Sequence, residues 1–141
     1  MKLIYLACPY SHESSTVRDA RFVLANAAAA VLMRAGLYVF SPISHTHPIA
    51  QTGGLPLGWD YWEGYDREIL KHCGALVVLA VDGWQQSAGV KGEVKIAEEL
   101  GIGVFFATSV EACAGESFQK SLRACVEITG ETAAKEVVDR R

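Results

Sequence analysis

The feature that most constrains this chain is an unbroken apolar run, Ala75-Leu-Val-Val-Leu-Ala-Val81. It reads as a buried strand. The segment that follows, Ser87-Ala-Gly-Val-Lys-Gly-Glu93-Val-Lys-Ile-Ala-Glu-Glu-Leu100, opens a helix whose apolar positions are Ile96, Ala97 and Leu100. On that register Glu93 shares their face, one turn before Ala97. Lys91, Lys95, Glu98 and Glu99 take the opposite, solvated face. A carboxylate on the buried side of a helix is costly unless it has a partner or a chemical task. Glu93 is therefore the first candidate for a catalytic group.

The rest of the chain supplies similar alternations. Residues 3–7 read as a first buried strand and Cys8-Pro-Tyr-Ser-His12 as a turn. Thr16-Val-Arg-Asp19 resembles a capping box with Asp in the Glu position, and an Ala-rich helix follows to about Ala35, with Gly36 as its stop. Residues 37–40 read as a second strand, and 41–58, rich in Ser, His, Pro and Gly, as a loop. A helix over 59–73, the strand 75–81, a helix from Ala88 or Gly89 to Leu100 and a strand over 102–107 complete the series. Residues 117–128 read as a further helix with Phe118, Leu122, Cys125 and Val126 inward. Thr129-Gly-Glu131 is a break, and 132–141 a short charged helix or tail. The order β-α-β-loop-α-β-α-β defines an α/β class with a mostly parallel sheet covered by helices on both faces. The expectation is one domain over 1–141, with a core at 2–108 and a helical extension at 109–141.

Bulk properties exclude several roles. The 141 residues are 50% apolar and 21% charged, as in a folded globular domain, and slightly apolar for a small monomer, which points weakly to a homo-oligomer. A net charge of −3 offers no basic patch for nucleic acid. There is no eighteen-residue apolar stretch and no signal-peptide pattern, so no membrane partner is expected. Four cysteines without Cys-x-x-Cys spacing fit reduced thiols and a cytoplasmic location.

Ligands of open parallel sheets bind outside the carboxyl ends of the strands. Here those ends carry Cys8 to His12, Ser41 to His47 and Asp82 to Gly89. Asp66 lies on the apolar stripe of its helix, four residues after Trp62 and three before Ile69. It reads equally well as a buried acid acting on a ligand and as a hydrogen-bonded core Asp. Glu93 and Asp66 facing one sheet would make a coupled pair with one raised pKa. Ser87 and Gly89 precede a helix N-terminus and suit an anion, or an ordinary cap. Tyr5, Cys8, Pro9, Tyr10 and Ser11 belong to the first strand and turn. Ser44, His45 and His47 belong to the 41–58 segment. In an extended Ser-His-Thr-His-Pro stretch the two histidines would point the same way, either at a ligand edge or, with Cys8, His12 or Asp82, at a metal. The hydrogen-bonding role is favoured and no metal is expected. Asp82 suits the turn after the third strand. Trp59, Tyr61, Tyr65 and Trp84 offer faces for a base, and Trp62 suits core packing. Gly-x-Gly-x-x-Gly, P-loop, His-Glu-x-x-His and nucleophile-elbow motifs are absent, and no cofactor is expected.

These residues together resemble the nucleoside 2-deoxyribosyltransferase-like superfamily over roughly residues 2–108. The marks are Ile4-Tyr-Leu-Ala-Cys8, Asp66 leading into Ala75-Leu-Val-Val-Leu, and Ser87-x-Gly-x-x-x-Glu93 with Ala97 beyond. The last spacing is most similar to the deoxynucleoside 5′-monophosphate N-glycosidase branch. The overall likeness is greatest to a small bacterial and phage family of unassigned function, through Ala7 to His12 and Ser41 to Pro48. The resemblance implies a Rossmann-like (flavodoxin-like) three-layer sandwich with sheet order 2-1-3-4 and room for a fifth strand. It implies Glu93 as the nucleophile at the anomeric carbon, Asp66 on the sugar or departing base, Tyr5 positioning Glu93, and Ser87 and Gly89 on a 5′-phosphate. It also implies a homodimer or larger assembly. The expected activity is cleavage of the N-glycosidic bond of a nucleoside or its 5′-monophosphate, by hydrolysis or base transfer. The alternatives are a nucleotide-binding module without turnover, a metal-dependent hydrolase built on His45 and His47, and a structural interaction domain.

Overall fold

The computed structural model describes residues 1–127, so the expected features at 128–141 lie outside the described residues. The strands are β1 (Leu3–Ala7), β2 (Val39–Phe40), β3 (Cys73–Leu79) and β4 (Gly103–Ala107). The helices are α1 (Ser15–Arg34), α2 (Pro42–Gly53), α3 (Trp59–Leu70), α4 (Ala88–Leu100) and α5 (Glu116–Val126). The strands form one parallel sheet in the order β2-β1-β3-β4, with no fifth strand among the described residues.

Alternation along the central strands explains the layering. Ile4, Leu6, Ala75, Val77 and Leu79 project into a core shared with α1 and α5. Tyr5, Ala7, Leu76 and Val78 project to the other face, against α3 and α4. A strand covered on both sides must be apolar at every position, which is why β3 reads as a continuous run. The α1 contribution is Ala25, Ala28, Ala29 and Leu32, and the three alanines let the helix approach the sheet closely. The architecture is a Rossmann-like three-layer α/β/α sandwich.

Several local readings are corrected. The N-cap of α1 is Ser14, whose side chain accepts from Val17 N–H, so the helix begins before the Thr16–Asp19 capping box. Residues 41–58 are largely helix. Ser41 caps α2 by accepting from Ser44 N–H, Pro42 occupies the first turn where its missing N–H costs nothing, and Gly54 closes the helix at φ 62°. Cys73 starts β3 instead of ending α3. Leu100 and Cys125 are exposed rather than inward. In α5, Leu122 and Val126 are fully buried, and Lys2 N–H donates to the Val126 carbonyl at 2.9 Å, tying the helix to the start of β1. Cys8, Cys73, Cys113 and Cys125 are all free. Among the described residues no helix is long and apolar enough to cross a membrane.

Candidate active site

The sheet reverses winding direction between β1 and β3, because β2 lies on one side of β1 and β3 on the other. Loops leaving the carboxyl ends of such strands diverge and leave a crevice. Here the crevice is a cavity of about 270 Å³. That is near the lower end, roughly 300 Å³, of small-molecule pockets. The turn after β1 gives it Cys8, Tyr10 and Ser11; α2 gives Ile43, Thr46 and His47; α3 gives Trp59, Trp62 and Asp66; α4 gives Gly89 and Glu93.

Glu93 and Asp66 reach this cavity from separate helices. Both are buried, at 5% and 8% exposure, on helix faces that also carry Val90, Ile96, Ala97 and Leu70. Among the described residues neither forms a salt bridge. Burial pushes the Glu93 carboxyl well above the ordinary carboxylate range, and the Asp66 charge adds to the rise. Burial likewise pushes Asp66 up to about 7, against a partial stabilisation of its charge by Tyr5. The pair therefore favours a singly protonated state near neutral pH.

Tyr5 lies behind the pair on β1. It is fully buried; desolvation, joined by the two carboxyls beside its hydroxyl, raises its pKa well above 10.0. The contact is loose, since among the described residues the hydroxyl makes no hydrogen bond of proper geometry. A buried hydroxyl left unpaired is costly.

The first turn of α4 frames Glu93. Ser87 Oγ accepts from Val90 N–H at 3.1 Å, which makes it the N-cap, and Ser87 also lines the cavity. A Cβ on Gly89 would lie 3.9 Å from Glu93 Oε1, so glycine leaves the carboxylate face open. A Cβ on Gly92 would fall 2.3 Å from the Trp59 ring, so this glycine lets the indole pack closely on α4. Sequence reading passed over Gly92, because a mid-helix glycine signals close approach without naming what approaches.

Of the residues expected at the site, Glu93, Asp66, Cys8, Tyr10, Ser11, His47, Ser87 and Gly89 line one cavity. The others do not. Pro9 is buried in the turn beside it. Ser44 bonds Ser41 Oγ through its own hydroxyl at 2.8 Å. Asp82 is exposed, and its carbonyl accepts from Arg21. Trp84 packs on Phe106 with ring centroids 5.6 Å apart. His45 is exposed whereas His47 is buried, because a helix turns residues two apart by roughly 200°. The shared direction expected of the two rings is thus overturned, and with it the geometry of a His45–His47 metal site. Among the described residues no group of three or more His, Cys, Asp or Glu could hold a metal ion. Trp62, expected in the core, is half-buried and lines the cavity. Burial raises the Cys8 thiol to about 12, so it is a small apolar wall and not a nucleophile.

Fold and site together define a Rossmann-like α/β domain with an acidic, ligand-sized cavity at the carboxyl ends of its strands. The chain belongs to DUF1937, a domain of unknown function, whose family profile matches residues 2–109. No curated protein matches it.

Proposed function

We propose that this protein cleaves the N-glycosidic bond of a nucleoside or nucleoside 5′-monophosphate, with a 2′-deoxy sugar preferred. The observation that carries the reading is the pair of buried carboxyls, Glu93 and Asp66, on one cavity and without salt-bridge partners among the described residues. Their residue types and spacing support a likeness to the nucleoside 2-deoxyribosyltransferase-like superfamily. As the base departs with the bonding electrons, positive charge develops on the sugar. A carboxylate beside C1′ stabilises that charge and bonds to the carbon. We assign this role to Glu93 in the singly protonated pair, with its carboxylate toward C1′ and the pair's one proton on Asp66. Asp66, near 7, supplies the proton that the departing base nitrogen takes up. Water, or a second base, then attacks C1′, gives its proton to the Asp66 carboxylate and frees Glu93. A 2′-deoxy sugar suits this route because no 2′-hydroxyl withdraws electron density from the cation. Tyr5 would hold the two carboxyls in register, and Ser87 with Gly89 would receive a 5′-phosphate. Trp59 and Trp62 would hold the base between apolar surfaces.

The test is chromatography of bases released from a panel of deoxynucleosides and their 5′-monophosphates. Wild type is expected to release base and Glu93→Ala to lose that activity; equal release by both refutes the reading. A second reading, a nucleotide-binding module without turnover, draws on the same burial, because a protonated Glu93 is a competent hydrogen-bond donor to a ligand. Tight binding with the nucleotide recovered intact would favour it.

A further inference from the structure

The wall built by the β1–α1 turn and α2 carries a second polar cluster, which the reaction above leaves unused. His47 is 4% exposed and has both ring nitrogens engaged. Its Nε2 lies 3.2 Å from Asp19 Oδ1, and its Nδ1 is 2.5 Å from the Tyr10 hydroxyl. Gln51 Nε2 donates to the same Asp19 oxygen at 3.2 Å. Phe22 stacks on the imidazole with ring centroids 4.4 Å apart and fixes its plane. The chain Asp19–His47–Tyr10 thus runs from the surface to the cavity.

Its proton order follows from chemistry. A carboxylate only accepts, and Asp19 Oδ1 already receives the Gln51 donor, so the proton between Asp19 and His47 resides on Nε2. In a neutral imidazole with Nε2 protonated, Nδ1 is an acceptor. The Tyr10 hydroxyl therefore donates to Nδ1. Its one proton is committed inward, and only oxygen lone pairs remain to face the cavity.

We propose that Asp19 and His47 are positioning residues that make Tyr10 a hydrogen-bond acceptor for a sugar hydroxyl of the ligand. The assignment rests on the cavity being the nucleoside site proposed above. The indoles of Trp59 and Trp62 and the side chain of Leu57 provide apolar surface for a base, leaving the Tyr10 wall for the sugar. A 2′-deoxynucleoside 5′-monophosphate has one free sugar hydroxyl, at C3′. A ligand lacking it leaves the Tyr10 oxygen unpaired, and sites that lose such a partner discriminate strongly.

Two measurements on the full chain test this separately. Long-range proton–nitrogen correlation spectra of the nitrogen-15-labelled protein at pH 7.5, with the His47 signals identified by their loss in His47→Gln, are expected to show Nε2 protonated and Nδ1 bare. Asp19→Ala is expected to abolish that preference. A wild-type ring protonated at Nδ1 overturns the proposal whatever the protein's activity. The second measurement compares 2′-deoxynucleoside 5′-monophosphates with their 2′,3′-dideoxy counterparts, by kcat/KM, or by Kd where no base is released. Wild type is expected to prefer the hydroxylated member by at least about tenfold, and Tyr10→Phe and Asp19→Ala to reduce the ratio to within about threefold. An unchanged ratio in both variants overturns the proposal. Absence of base release from every wild-type mixture would instead remove the proposed reaction, while the ring spectrum and the Kd ratio still decide the role of Tyr10.

Discussion

Replacing Asp66 by asparagine is expected to change how stability depends on pH. The folded state holds the Asp66 carboxyl at about 7, against an ordinary 3.8. Since one pKa unit corresponds to about 1.4 kcal/mol, ionising Asp66 costs the folded state on the order of 4 kcal/mol above neutral pH. The sign follows from proton counting. Between the two pKa values the unfolded chain has lost the Asp66 proton and the folded protein has kept it, so this residue's contribution to stability falls as pH rises from about 4 to about 7. A neutral amide at this position carries no such penalty, and removing the Asp66 charge also relieves Glu93, an effect of the same sign. Denaturant unfolding of wild type and Asp66→Asn at pH 5 and pH 8 is therefore expected to show the variant gaining about 3 kcal/mol relative to wild type across that interval. A stability difference that stays constant with pH, or moves the other way, would mean that Asp66 ionises freely in the fold. The acid role assigned to it would fall with that result.

Other perturbations separate structure from chemistry. Tyr5→Phe removes a hydroxyl without a hydrogen-bond partner among the described residues, so thermal unfolding should show a change within about 1 kcal/mol while base release falls at least tenfold. Gly92→Ala would put a methyl 2.3 Å from the Trp59 ring; a crystal structure should show the indole displaced, with a stability loss of about 1–3 kcal/mol and weakened nucleotide binding. Ser87→Ala removes the side-chain cap of α4 and is expected to cost about 1 kcal/mol by denaturant unfolding. Base release by wild type should decline above about pH 7, as Asp66 loses its proton, and in Asp66→Asn that alkaline limb should vanish from the pH–rate profile.

The sheet was readable because its central strands are covered twice. Every position of β3 has to be apolar, so tertiary burial leaves its mark on the local sequence. Glu93 and Asp66 were readable for a related reason: each interrupts an apolar helix face, and only burial makes that unusual. The 41–58 segment misled because Pro42, Pro48 and the Gly53-Gly54 pair are loop signals by composition. Their positions say otherwise, with Ser41-Pro42 forming a helix start and Ile43, His47 and Ala50 marking one buried face. The extended reading turned His47 toward His45, whereas the helix turns it toward Asp19 and Tyr10. Partners 28 and 37 residues away in sequence cannot be inferred from periodicity on either element. Trp62 was misplaced for the converse reason, because an aromatic on an apolar helix stripe looks the same whether it faces a core or a cavity.

The central claim is that Glu93 attacks a sugar carbon. Rapid acid quenching of wild type during turnover of a deoxynucleoside 5′-monophosphate, followed by peptide mapping by mass spectrometry, addresses it most directly. The peptide that contains Glu93 is expected to carry 2-deoxyribose 5-phosphate joined through C1 to the carboxyl, an adduct absent from Glu93→Gln. Base release that proceeds undiminished in Glu93→Gln, with no modified peptide in wild type, would contradict it.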